Sequence, residues 1–71
     1  MLKDEPFRKI FSQRLRHYMT MHDMSQSFLS KASGVSQTCI SRYLSESRTP
    51  TGLHMTKLAK ALGCSVEDLS R

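Results

Sequence analysis

Residues 26–45 read QSFLSKASGVSQTCISRYLS, and few arrangements of a chain satisfy that order. Ser25 is a good N-cap for a short helix over Gln26–Ala32. Gly34 follows, where a tight turn wants positive φ. Ser36 then caps a second helix over about Gln37–Ser45. Two helices joined by so short a turn cannot lie side by side and must cross steeply. Ser30 is small where the helices approach. Leu29, Val35, Ile40 and Tyr43 are apolar where the pair must lock together and onto a third element. Ser36, Gln37, Thr38, Ser41, Arg42 and Ser45 are polar on the face left over.

Working outward, a helix is expected from about Pro6 to Met21, capped by Asp4 with Pro6 in its first turn. Phe7, Ile10, Phe11, Leu15 and Tyr18 recur at helical spacing and form its core face, while Arg8, Arg14 and Arg16 lie off it. Phe7 and Tyr18 are read as core rather than as platforms for stacked bases. On the other side, Ser47-Arg48-Thr49-Pro50-Thr51-Gly52 is a loop by its turn chemistry. A fourth helix runs from about Leu53 to Leu62, with Met55, Leu58, Ala59 and Leu62 facing inward and Gly63 ending it. Ser65 caps a fifth, with Asp68 in a capping-box position and Val66 and Leu69 pointing to the core. The expected fold class is all-α: five short helices, no strand, one domain over residues 1–71.

Composition narrows the function. The 71 residues carry 11 Lys and Arg against 6 Asp and Glu, for a net charge of +5, and the sequence pI is about 9.7. Between Pro6 and Ser45 the bases are Arg8, Lys9, Arg14, Arg16, Lys31 and Arg42, and the sole acid is Asp23. Such a stretch is read as an electrostatic footprint for a polyanion. Charge alone does not separate a nucleic acid from an anionic membrane, nor either from an ordinary solvated face. No apolar run is long enough to span a bilayer, and Met1–Pro6 has no signal-peptide character, so a cytoplasmic protein is expected. Cys39 and Cys64 have no zinc spacing and are read as buried free thiols. No metal, cofactor or small-molecule ligand is expected.

The residues Met24-Ser25-Gln26, Leu29, Gly34-Val35-Ser36-Gln37, Ile40-Ser41-Arg42, Thr49-Pro50, Leu58–Ser65 and Leu69 together resemble the lambda-repressor-like (Cro and phage-repressor, or XRE-type) helix-turn-helix family. The likeness covers about Leu15–Leu69, and the Gly52 loop and the ALGCS segment look most like lambdoid phage repressors. It implies a transcriptional regulator that binds double-stranded operator DNA in the major groove. It implies roles as well: Gln26 on phosphate and bracing the next helix, Gln37 and Thr38 on base edges, Ser41 and Arg42 on bases or phosphate, and Ser36 at the same surface. Glutamine matches adenine N6 and N7, arginine matches guanine O6 and N7, and a threonine methyl matches that of thymine. A palindromic operator bound by a homodimer is implied, with the dimer contact near Gly63–Leu69. Two departures stand out. Ser33 replaces a usual apolar residue, which would leave that corner of the core weak. Met19 and Leu44 occupy places where many members carry an Arg–Glu pair between the first and third helices, and are expected to touch each other instead.

Other classes fit less well. His17, His22 and His54 have no acid partner at motif spacing, and the serines sit in no nucleophile motif, so no enzyme is expected. A basic amphipathic first helix on anionic lipid is the rival binding mode, but a chain this short needs that apolar face for its core. Among regulators, lack of room for an oligomerising domain favours a Cro-like repressor. A restriction-modification controller or an antitoxin-type autoregulator is the alternative.

Overall fold

The computed structural model describes residues 4–71 and contains five helices: α1 Asp4–Met21, α2 Gln26–Ser33, α3 Gln37–Leu44, α4 Gly52–Leu62 and α5 Val66–Leu69. Each of the four later helices starts at a hydroxyl. The side chains of Ser25, Ser36, Thr51 and Ser65 accept from the N–H groups of Phe28, Cys39, His54 and Asp68, at 3.0, 3.2, 3.1 and 3.1 Å. Each bond satisfies one of the donors that a helix start leaves free. At Ser65 the box closes: its N–H donates to Asp68 Oδ2 at 3.1 Å, so Asp here does what Glu or Gln usually does. That N–H and the Ser65 hydroxyl hold the Asp68 carboxyl below its usual range.

The ends also differ from expectation in places. α1 reaches back to Asp4, so Asp4 is helical rather than the cap. α2 gains Ser33, and α3 stops at Leu44 with Ser45 as its C-cap. Gly52 opens α4 because Thr51, two residues before Leu53, supplies the cap. Gly34 adopts φ +80 with nothing within 4 Å of where a Cβ would lie, so backbone conformation and not crowding demands glycine. Ser33 is half-buried, and its hydroxyl accepts the Val35 N–H at 3.1 Å across the turn.

Phe11, Leu15, Met19, Leu29, Val35, Ile40, Tyr43, Leu44, Met55, Leu58, Ala59, Leu62 and Leu69 form one buried cluster. Met19 and Leu44, 8% and 9% exposed, both belong to it. Val66 does not; it is 38% exposed, because a four-residue helix has only one inward position and Leu69 takes it. Cys39 and Cys64 are free but half-buried, not fully buried, and burial pushes the Cys64 thiol up. No helix among the described residues is long and apolar enough to cross a membrane.

The polar link between α1 and α3 runs to the main chain. Ser12, a buried polar residue, donates to the Leu44 carbonyl at 2.8 Å, and Arg16 Nη2 donates to the same oxygen at 3.1 Å. After Leu44 the chain turns through Glu46 at φ +65, with the Ser47 N–H returning to the Arg42 carbonyl at 3.0 Å. This is a helix end in which glycine is the favoured residue at the left-handed position. Glu46→Gly is therefore expected to stabilise the fold by about 0.5–1 kcal/mol, read as a raised midpoint in thermal or urea unfolding. An unchanged or lowered midpoint would show that the Glu46 side chain compensates for its backbone.

Candidate nucleic-acid interface

α3 divides cleanly by periodicity. Ile40, Tyr43 and Leu44 are buried, whereas Gln37, Thr38, Ser41 and Arg42 are exposed on the opposite face. Because α2 starts beside that face, Gln26 joins them. Gln26, Gln37, Thr38, Ser41 and Arg42 line one shallow open hollow of about 410 Å³. Thus five of the six residues singled out from the sequence come together. The sixth, Ser36, is exposed and its oxygen is engaged in capping α3. None of the five side chains takes part in a hydrogen bond among the described residues, so their donors and acceptors are uncommitted within the fold.

The hollow is electropositive for reasons beyond Arg42. No acidic residue lies among its lining side chains, and neither α2 nor α3 has an acid in its first turn. The positive ends of both helix dipoles are therefore left uncompensated, with the N–H groups of Gln37 and Thr38 free of intrahelical partners. That combination receives anions. The remaining bases are spread more widely than the run Arg8–Arg42 implies. Arg16 sits on the Leu44 carbonyl, Arg14 donates to the main-chain oxygen of Arg71, and Arg8 and Lys9 line a separate hollow with Pro6 and Glu46. The basic stretch is thus not one face. The ion pair among the described residues, Glu67–Arg71 at 3.7 Å, is exposed and neutralises little.

Tyr43 supports α3 from beneath. Its ring, 1% exposed, meets Phe11 of α1 edge-on at 5.6 Å and His54 of α4 at 5.9 Å. Its hydroxyl lies 2.6 Å from His54 Nδ1. The sequence reading makes Tyr43 a plain apolar lock and gives it no polar partner. The usable signal was that a buried tyrosine hydroxyl requires a partner. Among the described residues no group of His, Cys, Asp and Glu is placed to hold a metal.

A short capped helix, a glycine turn and a second capped helix presenting an uncommitted polar, acid-free face define a helix-turn-helix DNA-binding protein. The helix-turn-helix family model matches residues 15–69. The chain belongs to the XRE-type, lambda-repressor-like helix-turn-helix family, and is a DNA-binding regulator of that type. No curated protein and no solved structure matches it.

Burial raises the Tyr43 phenol above its ordinary value, with Cys39 adding to the shift and Arg48 and the Thr51 N–H opposing it. A folded-state pKa above the unfolded one means stability is full below the unfolded value and is lost as pH rises through the folded one. The thermal midpoint should hade little pH dependence from this group at neutrality and fall above about pH 10. Tyr43→Phe should be less stable at pH 7, through loss of the His54 bond, yet show a shallower alkaline decline. Parallel declines in the two proteins would remove Tyr43 as the source.

Proposed function

We propose that the protein is a Cro-like repressor of phage or prophage type, a single domain that binds a palindromic operator as a homodimer with α3 in the major groove. The observation that carries this reading is the meeting of Gln26, Gln37, Thr38, Ser41 and Arg42 in one hollow beside the uncompensated N-terminal ends of α2 and α3. Gln37 and Thr38 occupy the first exposed turn of α3 and read base edges. Gln26, at the start of α2, binds phosphate and braces Gln37. Ser36 and Ser41 bind at the margins. Arg42, one turn further along, holds phosphate from the wall of the groove.

One such unit reads only a few base pairs, and two related by two-fold symmetry read half-sites about one helical turn apart. The segment Gly63–Leu69 is the proposed dimer contact, and the exposure of Val66 within it supplies an apolar group for that purpose. The ALGCS segment, which turns at Gly63 with φ +71 into the capped α5, supports the phage-repressor reading.

Binding to an operator library at two salt concentrations separates the roles. Gln37→Ala should cost about 1–3 kcal/mol at one base position per half-site and leave non-specific binding nearly intact. Gln26→Ala should weaken all sequences alike. Arg42→Ala should reduce the salt slope by about one ion per monomer. If Gln37→Ala and Thr38→Ala both retain affinity and preference, α3 is not the reading helix. Separately, sedimentation with operator DNA should give two chains per duplex; one chain at saturation would sink the dimer.

A further inference from the structure

We infer that Arg16, together with Ser12, is a positioning residue for DNA recognition: it sets the pitch of α3 by holding the Leu44 carbonyl and does not itself touch DNA. The inference rests on α3 being the reading helix. Ser12 and Arg16 stand one turn apart on α1, and both donate to one oxygen, at 2.8 and 3.1 Å. That oxygen belongs to the last residue of α3, where a carbonyl has no intrahelical partner and where the negative end of the dipole favours a cation. Met19 and Leu44 are both apolar and buried, so no side-chain ion pair spans this junction. Among the described residues these are the hydrogen bonds that join α1 to α3.

The leverage follows from helix geometry. The buried Ile40 lies three residues from Gln37 and four from Leu44 within α3, about 4.5 and 6 Å along the axis at 1.5 Å per residue. A tilt of ~10° about Ile40 moves Gln37 through roughly 0.8 Å and the Leu44 end through roughly 1 Å, whereas a recognition geometry tolerates about 0.5 Å. The buried side chains Ile40, Tyr43 and Leu44 fix which face of α3 is inward. The doubly bonded Leu44 carbonyl opposes the tilt, because the same motion strains both of its hydrogen bonds. The guanidinium places its Nη2 donor at the end of α3 remote from Gln37 and Thr38, and Arg16, though exposed, is not among the residues that line the hollow.

The test compares operator and non-specific duplex affinities of the full chain for Arg16→Met, Arg16→Lys, Ser12→Ala and Gln37→Ala, each at two salt concentrations. A variant that merely lowers the folded fraction weakens both affinities equally, so their ratio isolates positioning. Arg16→Met should lower the ratio roughly 3- to 30-fold with an unchanged salt slope. Arg16→Lys, which retains a cationic donor, should recover part of it, and Ser12→Ala should lower it less. A fall in salt slope of about one ion per monomer for Arg16→Met would make Arg16 a phosphate contact and overturn the inference. So would a normal ratio in Arg16→Met and Ser12→Ala while Gln37→Ala lowers it. A normal ratio in Gln37→Ala would instead remove the reading of α3 on which the inference stands.

Discussion

α3 is eight residues long, and an isolated helix of that length is not stable in water. Its conformation and direction must come from what it is packed on, and most of the structure serves that end. From beneath, Ile40 and Tyr43 enter the core, with Tyr43 set between Phe11 of α1 and His54 of α4. At its start, the Ser36 hydroxyl closes the first turn. At its finish, the Arg42 carbonyl accepts from the Ser47 N–H and the Ser45 and Ser47 hydroxyls, and the Leu44 carbonyl from Ser12 and Arg16. Every buried side-chain polar atom among the described residues has a partner, which matters more in a domain with so thin a core than in a large one.

The electrostatics follow from where the acids are absent rather than from where the bases cluster. A net charge of +5 on a small domain raises the encounter rate with any polyanion, but it does not select a face, since Arg8, Lys9, Arg14 and Arg16 are distributed away from the hollow. Selection comes from the two bare helix starts and the uncommitted amides and hydroxyls of Gln26, Gln37, Thr38 and Ser41. Phosphate contacts position a protein on DNA, and base contacts specify where it stays. A surface with one cation and four neutral side chains is suited to the second task.

Local chemistry was the legible part of this fold. The capping hydroxyls at Ser25, Ser36 and Ser65, the left-handed Gly34 and Gly63, and the inward residues of α3 and α4 are each signalled within a few positions of sequence. The same signals brought five of the six singled-out side chains to one surface. What escaped was long-range or marginal. Ser12 to Leu44 spans 32 positions and Arg16 to Leu44 spans 28, and a bond to a main-chain carbonyl leaves no mark in the identity of the acceptor residue. Val66 looked like core because it is apolar, yet a helix of one turn has too little perimeter for two anchors. Glu46 at positive φ was unreadable because nothing about glutamate announces that conformation.

These two kinds of information divide the molecule by function. The outer face of α3 carries Gln37, Thr38 and Ser41, whose side chains are exposed and form no hydrogen bond among the described residues. Its inner face carries Ile40, Tyr43 and Leu44, and its C-terminal end carries the carbonyls of Arg42 and Leu44 that other groups grip. On the proposed reading, substitution in the first group changes the face offered to DNA without disturbing how the helix is held, since surface changes away from packed features usually shift stability by no more than about 0.5 kcal/mol. Substitution in the second alters the direction of every side chain on the outer face together. If α3 is the reading helix, as proposed, a helix built this way changes its preferred sequence one position at a time while its frame stays fixed. Apolar side chains at Met19 and Leu44, both in the buried cluster, are compatible with that division, because the polar grip on α3 passes through a main-chain oxygen that no side-chain substitution at position 44 removes.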